Sequence, residues 1–115
     1  MRRALIMALV VLSALGAPAV AEEVVTTGAE LLPACREFAE GRYESRGLRT
    51  GVCVGAVYST LTLLPNICAP AESTLLQAVK VVSNYMLHHS EQLHMDITLL
   101  SVYALTEAWP CKKGQ

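Results

Sequence analysis

Apolar positions recur at three- and four-residue intervals through four stretches of the chain, and three of the four end at a glycine or proline that stops a helix. In "ELLPACREFAEGR", Leu31, Leu32, Cys35 and Phe38 fall at helical spacing, and Gly41 closes the run. From Gly51 to Leu64 the stripe is Val54, Val57, Leu61 and Leu64. The β-branched content there (Val52, Val54, Val57, Thr60, Thr62) suits a strand as well, but the spacing favours a helix that ends before Pro65-Asn66. Past the corner "ICAPAEST", Thr74 and Gln77 have the spacing of a capping box, in which the hydroxyl accepts from an orphan amide and the glutamine reaches back. Leu75, Val79, Val82 and Met86 then line one face, with Ala78 and Tyr85 beside them. Gln77, Lys80, Ser83 and Asn84 form a solvated far side. A last stripe comprises Leu93, Ile97, Leu100 and Ala104, broadened by Leu105 and Ala108 and ended by Pro110. The pattern predicts an all-α fold, a small bundle of four to five helices joined by short connections.

The first 21 residues have a different character. Arg2 and Arg3 precede the apolar run "ALIMALVVLSALGA", and Ala19-Val20-Ala21 supplies small residues before Glu22, so a cleaved signal peptide over 1–21 is the expectation. An uncleaved anchor fits less well, because charged residues follow at once with no stop-transfer pattern. No cysteine ends the run, which argues against a lipoprotein. Residues 22–30 read as a flexible N-terminus and 31–115 as one helical domain. Cleavage would leave seven Lys+Arg against ten Asp+Glu, a net charge of −3. That balance argues against nucleic acid or an anionic membrane as partner.

A domain this small gains from covalent staples. Cys35, Cys53, Cys68 and Cys111 are an even set without a C-x-x-C pair, and in an exported chain they read as two disulfides. Cys35–Cys53 would join the late part of the first helix to the first turn of the second. Cys68 precedes the third helix and Cys111 follows the fourth, ends that meet in an antiparallel pair. Cys53–Cys68 fits poorly, since the helix between them rises roughly 16 Å and bridged Cα atoms lie within about 7 Å. The expected pairing is therefore Cys35–Cys53 and Cys68–Cys111, each bridge contributing about 3–4 kcal/mol in the entropy model.

All three histidines lie in "YMLHHSEQLHM". The zinc-protease pattern needs two imidazoles four apart with a glutamate between. Here His89 and His94 are five apart, and Ser90 before Glu91 reads as the start of a new helix. His88 and His89 then belong to the last turn of the third helix, and His94 lies near the helix seam. A metal site would need the corner to fold all three together, and neither a metal nor a cofactor is expected. Catalysis has no better footing: oxidised cysteines offer no thiolate, no serine lies in a nucleophile elbow, and nothing singles out Glu91 or Asp96 with His94. No catalytic residue is assigned.

The segments "LLPACREF", "GVCVGAVY", "ICAPAESTLLQAVKVVSNYMLHHSEQLH" and "ALTEAWPC" together resemble the Rap/Tai family of immunity proteins from bacterial type VI secretion systems, over about Leu31 to Cys111. The resemblance rests on Cys53 with Gly55 and Tyr58, Cys68 with Pro70, Thr74 with Gln77 ahead of Val81-Val82, and Trp109-Pro110-Cys111. Ser90 departs from the proline usual there. The resemblance implies a helical periplasmic protein, commonly a homodimer, that inhibits a secreted effector. In the family that effector is typically a peptidoglycan amidase whose active-site cleft is plugged. Such an inhibitor needs a rigid surface with a few central anchors. The polar side of the third helix and the 88–94 corner supply the expected surface, with Gln77, Lys80, Asn84, His88, His89 and Glu91 as partner-binding residues. A chaperone-like periplasmic stress protein and a small periplasmic hydrolase are the alternative classes.

Overall fold

A computed structural model of the chain describes residues 26–42 and 47–112. The expected signal segment and residues 22–25 lie outside these. The described residues form four α-helices: α1 (Gly28–Ala39), α2 (Leu48–Leu63), α3 (Leu75–His88) and α4 (Ile97–Ala108), with a 3-10 turn at Ser90–Gln92 between the last two. Helix α3 packs against the other three, and α2 also touches α1 and α4. The core is one cluster built around Leu31, Val57, Val82, Met86, Ile97 and Leu100.

Helix α1 starts earlier than its apolar stripe. Gly28 and Ala29 donate their N–H groups to the Met95 and Leu93 carbonyls at 2.9 and 2.8 Å, so tertiary contacts satisfy two amides that a helix start otherwise leaves open. Residues 26–30 are thus part of the folded unit: Thr27 bridges to Asp96, and Ile97 N–H donates to the Thr26 carbonyl. The helix buries Leu31, Ala34, Cys35 and Ala39. It closes where Gly41 takes φ 73°, with Gly41 N–H donating to Phe38 and Arg42 N–H to Glu37, a paired closure that glycine adopts without strain.

Helix α2 begins at Leu48 rather than Gly51, and its inward stripe differs from expectation. Cys53, Val57 and Thr60 are buried, whereas Val54, Leu61 and Leu64 are half-buried. The bridge to Cys35 turns Cys53 inward, and Thr60 is tolerated because its hydroxyl donates to the Ala56 carbonyl at 2.8 Å. Helix α3 opens on the expected capping box: Gln77 N–H donates to Thr74 Oγ1 and Thr74 N–H to Gln77 Oε1. Its buried set is Ala78, Val79, Val82, Ser83 and Met86. Ser83, expected on the solvated side, is only 4% exposed because α1 packs against α3 on that side.

The corner after α3 also differs. Ser90 begins the 3-10 turn rather than capping a helix, and the cap of α4 is Asp96, which accepts from Thr98 N–H at 2.8 Å. Leu93 therefore precedes α4. The helix buries Ile97, Leu100, Ser101, Ala104 and Leu105, and Ala108 is exposed.

Both disulfides have the expected pairing. Cys35–Cys53 ties α1 to α2 with Cα atoms 5.7 Å apart, and Cys68–Cys111 ties the approach to α3 to the exit from α4 at 4.9 Å. Beside the second bridge, Cys68 N–H donates to the Trp109 carbonyl and Ile67 pairs with Pro110. Among the described residues no helix is long and apolar enough to cross a membrane.

Candidate functional site

Five of the six expected partner-binding residues divide among three shallow grooves, and Glu91 lies on the corner outside them. The groove of about 280 Å³ between α3 and α4 is lined by Asn84, His88 and His89 together with Tyr85, Glu107 and small apolar residues. A second, about 220 Å³, lies where α1 meets α3 and takes in Lys80 and Asn84 with Arg36, Glu40 and Leu87. Gln77 lies elsewhere, in a groove of about 260 Å³ with Trp109, Pro70 and Glu72, and its amide oxygen is already engaged in the capping box. The α3 face is thus not one continuous site. Asn84 is the one member shared by the first two grooves.

Local geometry fixes the corner. His89 lies one turn past Tyr85, and the two rings stack with centroids 4.0 Å apart and planes 22° from parallel. The Tyr85 hydroxyl donates to Gln92 Oε1 at 2.8 Å, binding the 3-10 turn to the helix it follows. His89 Nδ1 stands 3.3 Å from Glu91 Oε1. The Glu91 carboxyl is held below its usual range, first by a bond from its own backbone amide and then by His89. His88 Nδ1 is 2.7 Å from the Asn84 carbonyl, which only accepts, so that nitrogen carries the proton.

The three imidazoles do not face one another as ligands. His88 engages its own helix, His89 stacks on Tyr85, and His94 is exposed. Among the described residues no three His, Cys, Asp or Glu side chains gather as a metal-binding set. All four cysteines are oxidised. Behind the corner, Asp96 is held below the usual carboxylate range chiefly by the Thr26 hydroxyl, with Thr98 adding to it against the opposing effect of burial.

Two groove residues, Tyr85 and Glu107, and the corner residue Gln92 escaped the sequence reading of the surface. Tyr85 carried a usable signal, its four-residue spacing to His89 on one helix. Gln92 and Glu107 carried none, since the 3-10 turn and the α3–α4 packing bring them in.

The described residues thus form a small helical scaffold, doubly cross-linked, with grooves at its surface and its cysteines closed. That is the build of a binding protein. The chain belongs to the Rap1a immunity proteins, whose family profile matches residues 27–111. Members of this family are non-catalytic inhibitors tied to type VI secretion, so the protein is an immunity protein with a cognate effector as partner. Family and disulfides together indicate an extracytoplasmic protein. No curated protein and no solved structure matches the chain.

Proposed function

We propose that the protein works in the periplasm, after removal of residues 1–21, by occluding the active-site cleft of a peptidoglycan amidase delivered through type VI secretion. Family membership supplies the partner class, and the pinned corner after α3 is the observation that carries the docking surface. Stacking of His89 on Tyr85 and the Tyr85–Gln92 hydrogen bond hold exposed polar groups in one arrangement before any partner arrives. A preformed surface loses little conformational freedom on docking. The contact surface comprises Lys80, Asn84, His88, His89 and Glu91, with Gln77 at its margin. Homodimerisation belongs to the same reading, and light scattering on the purified mature chain tests it.

Lys80 and His88 are exposed, and neither packs in the core, so they separate binding from folding. Lys80→Glu and His88→Ala are expected to reduce protection of cells that export the amidase while leaving the melting temperature unchanged. Full protection by both variants would remove this face from the mechanism.

A further inference from the structure

We infer that the α3–α4 groove is an anchor site for a basic side chain, arginine above all, presented by the partner protein. This deepens the proposed function and rests on it for the partner's nature. Val81, Ala104 and Ala108 give the groove an aliphatic part of its lining, which suits a methylene stem. Its one permanently charged lining group is Glu107. Glu107 is exposed and its side chain makes no ion pair or hydrogen bond among the described residues, unlike those of Glu30, Glu40 and Glu91, which are each paired. Among the described residues no lysine or arginine lines this groove; Lys80 and Arg36 line the neighbouring one.

Two further features favour a cation. Both helices contribute residues of their last turns, where the negative end of the helix dipole lies. The Tyr85–His89 stack adds an aromatic surface, against which a planar guanidinium is better suited than a compact ammonium. The chain as a whole is slightly acidic, at −1, so it does not repel a basic partner.

Titrating the 15N-labelled mature protein with the blocked peptide acetyl-Gly-Arg-Gly-amide, followed by NMR, tests the site. Saturable shifts at Asn84, His89 and Glu107 are expected, with Kd of about 1–10 mM for a single anchor. The citrulline analogue, alike in shape but neutral, should bind at least about tenfold more weakly, and Glu107→Gln should lose the same factor with an otherwise unchanged spectrum. Equal binding of the two peptides, indifference to Glu107→Gln, or no saturable shift in the groove overturns the inference. A cell-protection assay distinguishes the two readings. A wild-type protein that takes up no arginine peptide yet protects keeps the immunity reading and loses the cationic anchor. One that takes up the peptide selectively but protects against no amidase keeps the anchor and loses that reading.

Discussion

Replacing Gly28 by alanine adds one methyl group at the tightest point of the helix packing. An ideal Cβ there lies 2.4 Å from Leu100 Cδ1, 3.3 Å from the Leu93 carbonyl oxygen and 3.3 Å from Met86 Sδ. Leu100 and Met86 are fully buried, so neither side chain can swing into solvent, and the Leu93 carbonyl already accepts from Ala29 N–H. Gly28 does not have the positive φ seen at Gly41, so the backbone accepts alanine and the cost is one of space alone. Overpacking of this kind costs about 1–3 kcal/mol. Alanine's helix preference offsets at most about 1 kcal/mol, and less at a first helical residue. The net expectation is about 1–2 kcal/mol, a fall in Tm of about 5–15 °C for a domain of this size. Gly55→Ala is the control. It adds the same methyl inside α2, where none of the described residues lies within 4 Å, and should stabilise by about 0.5–1 kcal/mol. Thermal melts followed by circular dichroism at 222 nm read both variants. A neutral or stabilising Gly28→Ala, or both substitutions moving Tm the same way, would refute the reasoning.

Other outcomes follow from the same structure. Asp96 has its folded-state pKa depressed, so its contribution is complete above the ordinary carboxylate pKa of about 3.9 and is lost as pH falls through the lower folded value. Melts between about pH 5 and pH 2.5 should therefore show a shallower acid decline for Asp96→Asn than for wild type, and equal slopes would contradict the assignment. Cys35 and Cys53 are wholly buried whereas Cys68 and Cys111 are partly exposed. Limited dithiothreitol under native conditions, followed by alkylation and peptide mass spectrometry, should therefore label Cys68 and Cys111 first; simultaneous opening would count against this. The buried Ser83 hydroxyl has no hydrogen-bond partner among the described residues, so Ser83→Ala should raise stability by about 1 kcal/mol in a urea titration, and a loss would mean the hydroxyl is satisfied after all.

The helices and their cross-links were legible because they are local. Capping, stripe spacing and the reach of a disulfide depend on residues a few positions apart or on helix length alone, and Thr74, Gln77 and the cysteine pairing all follow from such rules. What depends on neighbouring elements was not legible. Pro33 points to a nearby helix start, yet the start at Gly28 is set by Met95 and Leu93, more than sixty residues away. Ser83 looks like a solvated serine until α1 packs against that side of α3. Ser90 and Asp96 are both competent caps by type, and only the tertiary pairing with Thr26 and Thr27 favours the second. The partner-binding surface shows the same divide. Sequence placed Asn84, His88 and His89 on one helix end, but Glu107 joins them only through packing.

The clasp of Thr26 and Thr27 onto Asp96 and Ile97 has a practical side. Anything placed just ahead of Thr26 sits at the junction that opens α4, just behind the turn proposed to meet the toxin. A purification handle there risks masking that turn and mimicking a loss-of-contact mutant. The carboxyl side leaves the bundle at the Cys68–Cys111 staple, only a few residues past Glu107 and Ala108 of the α3–α4 groove, so a handle on an immobilised bait needs a long spacer there too.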